Sequence, residues 1–228
     1  MKSKTQIVLL HGALGTHAQL DAIAERLRAA GHDVFNILLP GHGNCALNGQ
    51  FSPEYFAAFV RDEMLALGIR NATLFGYSMG GYAGALLALE NPELVSRLVT
   101  LGTKWHWSPD IAERETKMLN PSVMQEKVPH YAAKLAHLHG VDGWKVLLER
   151  TAAMMRTLGE TNPLNPARLA SIKMPVTVLL GDSDQMVTRE ESETAARAMS
   201  NGRFVLLPNT PHPIEKAPLD TMVSAILE

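Results

Sequence analysis

One cysteine, Cys45, stands among 228 residues, so the chain can form no intrachain disulfide and no cysteine-based zinc site. That usage fits a reducing compartment. Neither sign of charge is in excess: 21 Lys and Arg against 23 Asp and Glu leave a formal net charge of −2. Without surplus positive charge there is no counterion release to drive binding to nucleic acid or to an anionic membrane, and a small molecule becomes the expected ligand. Long hydrophobic runs are missing as well. No stretch approaches the ~20 apolar residues of a membrane span. The run Ile7–Leu10 behind Lys2 and Lys4 is too short for an export signal before His11-Gly12 ends it. A cytoplasmic protein is expected, and neither internal repeats nor low-complexity tracts are present.

What remains is an ordinary globular composition, 46% hydrophobic and 19% charged. Its length fits one core carrying a sizeable insertion as well as two modules. Apolar runs of strand length recur at Gln6–Leu10, Asp33–Leu38, Thr73–Phe75, Leu98–Leu101, Val176–Leu180 and Arg203–Leu207. Most are near-continuous rather than alternating, as in strands buried on both faces. Helical spacing separates several of them: Leu20, Ile23, Ala24 and Leu27 before the second, and Tyr55, Phe59, Val60, Met64 and Leu67 before the third. The alternation predicts an α/β fold, an open and mostly parallel sheet of about six strands with helices on both faces. Ligands of such sheets sit at the carboxyl ends of the strands. Between the fourth and fifth runs the alternation stops. There Tyr131, Leu135 and Leu138 share one helical face, and Trp144, Leu147, Leu148, Thr151, Met154, Met155 and Leu158 share another. The division expected is a core of residues 1–102 and 175–228 with a helical insertion at 103–174.

Chemistry gathers where the strand runs end. Gly76-Tyr77-Ser78-Met79-Gly80 follows Thr73–Phe75 and precedes the helix-forming stretch Tyr82–Glu90. A serine on so sharp a strand-to-helix turn is held in a strained backbone that exposes its oxygen, and glycines flank it because side chains would clash. The helix start behind it offers N–H groups to a developing oxyanion. His11-Gly12-Ala13 follows the first strand on the same rim, where the Ala13 N–H would join that of Met79 as a second donor. Asp182 and Asp184 follow the fifth strand, and His212 follows the sixth. A serine hydroxyl needs an imidazole to take its proton, and the imidazole needs an acid to hold its tautomer.

With these residues in place the chain resembles the α/β-hydrolase fold superfamily, in the manner of a small serine esterase. Leu39-Pro40-Gly41-His42-Gly43 is similar to the loop after the family's next strand, Gly76–Gly81 to its nucleophile elbow, and Gly181-Asp182-Ser183-Asp184-Gln185-Met186-Val187 to its acid turn. That register selects Asp184 over Asp182. The resemblance implies a catalytic triad with Ser78 as nucleophile and His212 as base, an oxyanion hole at Ala13 and Met79, and a cap formed by the insertion. Two departures stand out. Pro211 and Pro213 flank His212 where the family usually has glycine before the histidine, which stiffens the loop. The sequence also begins directly at the strand before His11, so the family's leading antiparallel hairpin is expected to be missing.

Other features carry less. Gly41, Gly43 and Ala46 match a dinucleotide-type spacing, but Asn48-Gly49 and Ser52-Pro53 interrupt any helix that would receive a phosphate. His130 and His137 share a helical face without carboxylate partners at ligand spacing, so neither metal nor other cofactor is expected. Cys45, Met118, Met124, Met154 and Met155 read as packing residues. Trp105 and Trp107 open the insertion beside the expected pocket and are candidate substrate-binding residues. The function expected is cleavage of a small, largely apolar carboxylic ester through an acyl-enzyme at Ser78, with amide, thioester and lactone substrates within reach. A carbon–carbon bond hydrolase or lyase using the same triad, and a ligand receptor with negligible turnover, stay open as alternatives.

Overall fold

The computed structural model describes residues 4–228, so Lys2 lies outside them. Strands β1 (Gln6–Leu10), β2 (Asp33–Ile37), β3 (Ala72–Tyr77), β4 (Val95–Leu101), β5 (Val176–Gly181) and β6 (Gly202–Leu207) form one sheet in the order β2-β1-β3-β4-β5-β6. Every neighbouring pair is parallel. All six strand runs expected from the sequence are therefore strands. β3 and β5 are buried along their whole length, whereas β2 and β6 are half-buried edges.

The period-two alternation of each strand sorts its side chains into two cores. Ile7, Leu9, Phe75, Val99 and Leu179 face helices α1 (Asp21–Ala29) and α10 (Leu219–Leu227). Val8, Leu10, Leu74, Leu98 and Val178 face α2 (Pro53–Ala66), α3 (Met79–Glu90) and α9 (Arg189–Ala198). Phe56, Val60 and Met64 carry the buried face of α2. Leu67 does not belong to it: it lies past the end of the helix and is 53% exposed, because Gly68 turns the chain away at φ +70°.

Between β4 and β5 the chain forms α4 (Pro109–Thr116), α5 (Pro121–Lys127), α6 (Pro129–His139), α7 (Gly143–Glu160) and the short α8 (Pro166–Leu169). Proline at the first helical turn, with Ser108, Asn120 and Asn165 capping, opens α4, α5 and α8. Met124, Ala132, Leu135, Trp144, Leu147 and Leu148 pack α5, α6 and α7 together and onto Leu14, in the loop after β1. The buried face of α6 is Ala132, Leu135 and His139, one position away from the expected one, so that Tyr131 is exposed. A histidine that finds hydrogen-bond partners is buried there in place of an aliphatic residue. Among the described residues no helix is long and apolar enough to cross a membrane.

Candidate active site

Only Ser78 separates the end of β3 from the start of α3, and it makes the turn at φ 51°, ψ −115°. A non-glycine residue held at such angles costs about 1–3 kcal/mol, which the surrounding contacts must supply. The Ser78 N–H donates to the Leu101 carbonyl at 2.8 Å, and the Ser78 carbonyl accepts from the Gly81 N–H at 3.0 Å and from Thr103 Oγ1 at 3.2 Å. The helix starts so close to β1 that a Cβ on Gly80 would lie 2.3 Å from the Leu10 carbonyl oxygen. The packing thus carries the serine to the carboxyl edge of the sheet.

After β5 the chain turns back over its own end, which places Asp184 beside the loop that follows β6. Asp184 Oδ1 accepts from the N–H groups of Met186 (2.8 Å) and Val187 (2.9 Å), and Oδ2 accepts from His212 Nδ1 at 2.7 Å. The carboxylate is 2% exposed. Burial pushes its pKa up, but the hydrogen bond and charge of His212, with the two backbone N–H groups, outweigh it and hold the pKa below the ordinary value. With Oδ2 accepting, Nδ1 carries the proton and Nε2 is left as an acceptor. Asp182 does not reach His212. It is solvated, accepts from Ser183 Oγ at 2.9 Å and from the Thr210 N–H at 3.2 Å, and so fastens the loop that carries the histidine. The Tyr77 hydroxyl donates to the His212 carbonyl at 3.2 Å from the other side.

The loop after β1 is held by histidines. His11 Nδ1 lies 2.9 Å from the Gly12 carbonyl, and His11 Nε2 accepts from the Leu39 N–H at 3.0 Å, which fixes the neutral tautomer. Burial lowers its pKa to about 4. His139 reaches over from α6: its Nδ1 accepts from the Gly43 N–H at 2.8 Å, leaving Nε2 to donate to the Leu14 carbonyl at 3.0 Å. Between these two rings lies His42, buried against Phe51, its pKa lowered chiefly by burial. No helix opens at Gly41–Ala46; the next begins at Pro53. Among the described residues no protein acceptor takes the Ala13 N–H. The Met79 N–H, in the first turn of α3, has no intrahelical acceptor.

Ala13, Ser78, Met79 and His212 open onto one cavity of about 50 Å³. Its remaining wall is mostly apolar, with Met154, Met155 and Leu158 from α7 and Met186 and Val187 from the acid turn. Met154 and Met155 therefore face this cavity, although Met154 also packs into the core, whereas Met124 is purely a packing residue and Met118 is exposed. The two tryptophans separate. Trp107 lines the cavity. Trp105 does not: it is 4% exposed, packs into the core on the α2–α3–α9 side, and its backbone is tied to Glu191 and Asn162. Two residues apart in an irregular segment, both pack against that core, but only Trp107 also reaches the cavity.

Sequence reasoning missed Lys104 and Glu115, the charged pair in the cavity wall. Burial of a lysine leaves no periodic signal in a segment without regular structure. It missed His139 in its structural role as well, whereas His130 and His137 are exposed.

A family model described as the alpha/beta hydrolase fold matches residues 5–159. Among curated proteins, the sn-1-specific diacylglycerol lipase ABHD11 of Xenopus laevis is 32% identical over 134 residues, covering 58% of this chain and 38% of that protein. A pimeloyl-acyl-carrier-protein methyl ester esterase of Photorhabdus laumondii is 29% identical over 164 residues, covering 72% of this chain and 56% of that protein. The chain thus spans from 38% to 56% of the length of these two relatives. Among solved structures, the enol-lactonase from Burkholderia xenovorans LB400 superposes with a TM-score of 0.80 at 20% identity, covering 99% of this chain and 90% of that one. At that identity the likeness concerns the fold alone.

Proposed function

Because the chain belongs to the alpha/beta hydrolase fold family, we propose that it is a serine hydrolase cleaving a small, largely apolar carboxylic ester through an acyl-enzyme at Ser78. The observation that carries this reading is the Asp184–His212 hydrogen bond on the same cavity as a serine held at positive φ. His212 Nε2 takes the proton of Ser78 Oγ as the oxygen attacks the ester carbonyl. The N–H groups of Ala13 and Met79 receive the oxyanion. His212 then gives the proton to the departing alcohol, and water repeats the sequence to release the acid. Asp184 holds the imidazole tautomer throughout and stabilises its charge. Residues 103–174 act as a cap, since α7 and Trp107 wall the cavity and α6 grips the loop that carries Ala13.

Support for an ester as substrate comes from the apolar, narrow cavity. It comes also from the relatives, two of which are named for ester cleavage. The test is labelling by a fluorophosphonate, which reacts quickly only with a base-activated hydroxyl beside oxyanion donors. Peptide mapping should find the label on Ser78 alone, and Ser78→Ala should lower kcat on a short ester by up to about a millionfold. Active protein that yields unmodified Ser78 overturns the reading, and so does turnover that survives the substitution.

A further inference from the structure

The cavity has one charged wall, and that wall is short of acceptors. Lys104 is 8% exposed and donates to the Met186 carbonyl. An ammonium has three protons to place. Its other neighbours are Glu115 Oε1 at 3.6 Å and Glu191 Oε2 at 3.9 Å, attractive as charges but too far for hydrogen bonds. Both carboxylates are engaged elsewhere: Glu115 with Arg114 at 2.9 Å, and Glu191 with the Trp105 N–H at 3.0 Å and the Thr188 N–H at 3.1 Å. Beside them Trp107 presents its ring 5.9 Å from Lys104 Nζ, and among the described residues its buried indole N–H has no acceptor. Buried donors without acceptors are costly, so such a wall fits a ligand that brings an acceptor of its own.

Resting on the ester-hydrolase reading, we propose that Lys104 is a substrate-binding residue whose ammonium donates to a neutral oxygen carried by the ester away from the scissile bond. The favoured substrate is then an apolar ester bearing one carbonyl or hydroxyl oxygen. A carboxylate in that place is disfavoured, because Lys104 and Arg114 are already matched by the carboxylates of Glu115 and Glu191, and a further anion beside Glu115 in the cavity wall would leave negative charge in excess.

The test compares p-nitrophenyl hexanoate with its analogue of equal length carrying one ketone oxygen and with an analogue ending in a carboxylate. A second set, the acetates of hexanol with and without the ketone, places the oxygen on the alcohol side. In one of the two sets the ketone ester should exceed the plain one by about tenfold or more in kcat/KM, the range expected for a hydrogen bond to a charged donor. The carboxylate analogue should fall below both. Lys104→Met should bring the ketone-to-alkyl ratio to about one, and Lys104→Arg should retain a preference. Because Lys104→Met strands two carboxylates, the double variant Lys104→Met/Glu115→Gln is measured beside it, with thermal melts reporting the fold. A ratio that is the same in the wild type and in the double variant overturns the proposal, as does a plain-alkyl preference in both sets. Ester turnover without ketone preference refutes this inference alone. No turnover of any ester together with an unlabelled Ser78 refutes the hydrolase reading, and this inference with it.

Discussion

Replacing Asp184 by asparagine changes one atom, and the hydrogen bonds around that atom decide the effect on catalysis. Oδ1 sits against two N–H donors, at 2.8 and 2.9 Å, so the amide oxygen must take that place; turned the other way, the NH₂ group would face both donors and lose two hydrogen bonds. With the oxygen there, the NH₂ group points at His212 Nδ1, where the carboxylate accepted at 2.7 Å. Nδ1 must then become an acceptor, the proton moves to Nε2, and the imidazole can no longer take a proton from Ser78. A tautomer inverted in this way costs about 10⁴ in kcat in comparable triads. Asp182→Asn lacks this consequence, since its oxygen can go on accepting from the Thr210 N–H at the surface, and a loss of less than about threefold is expected. The assay is kcat on a short p-nitrophenyl ester for both variants at neutral pH, with circular dichroism to show that each is folded. Asp184→Asn retaining more than about a tenth of the activity would refute the reasoning. So would Asp182→Asn proving the more damaging of the two.

Trp105→Ala should lower stability by about 3–5 kcal/mol, read as a drop in Tm, and reduce activity on all chain lengths alike. Trp107→Ala should instead shift the preferred ester toward longer chains, each added methylene changing kcat/KM by about 1–3 kcal/mol; an unchanged chain-length profile would remove Trp107 from the binding surface. His11 is neutral when folded, with its pKa at about 4, and titrates near 6.5 when unfolded. The unfolded chain therefore takes up the proton first, and stability should fall by up to ~3 kcal/mol as pH drops from about 6.5 to about 4. Thermal melts across that range should show the decline, with His42 and His139 adding to it in the same direction. A melting temperature that is flat over this range would contradict the buried neutral histidines. His139→Ala leaves the Leu14 carbonyl and the Gly43 N–H without their partner, so it should cost about 1–3 kcal/mol per group in stability. It should also lower kcat more than it raises KM, because the loop bearing Ala13 is loosened; wild-type kinetics in a folded variant would argue against that coupling.

The sheet was legible because each central strand is buried on both faces and so appears as an uninterrupted apolar run between turn residues. The expected strand ends differ from the observed ones by three residues at most, as at Leu98 against Val95, where half-buried Ser96 and Arg97 dilute the hydrophobic signal. The positions of Ser78, Asp184 and His212 were legible for a related reason: they lie in the turns that follow strand ends, and a parallel sheet brings those ends to one rim. Signals failed where structure is not periodic or where a polar group is buried with partners. Trp105 and Trp107 differ only in which way an irregular segment turns. The inward face of α6 is centred on a histidine whose two ring nitrogens are both occupied, a condition that no count of apolar residues detects. Lys104 is likewise hidden, because the groups that make its burial tolerable lie at Glu115, Met186 and Glu191, remote from it in the chain.

The narrow passage of backbone around Ser78 also sets how far this protein can drift in sequence. A methyl group on Gly76 would stand 2.4 Å from the Gly81 backbone, and one on Gly80 would stand 2.3 Å from the Leu10 carbonyl oxygen, main-chain obstacles that cannot swing aside. Gly84, one turn further along α3, would bring its methyl no closer than 3.3 Å to the end of a leucine side chain, which can yield. In a library of all single substitutions, positions 76 and 80 should stay closed even in a Ser78→Gly background that has no chemistry left to protect, whereas position 84 should admit alanine. Purifying pressure on this turn therefore comes from two sources, and only the serine itself would be released from it by the loss of function.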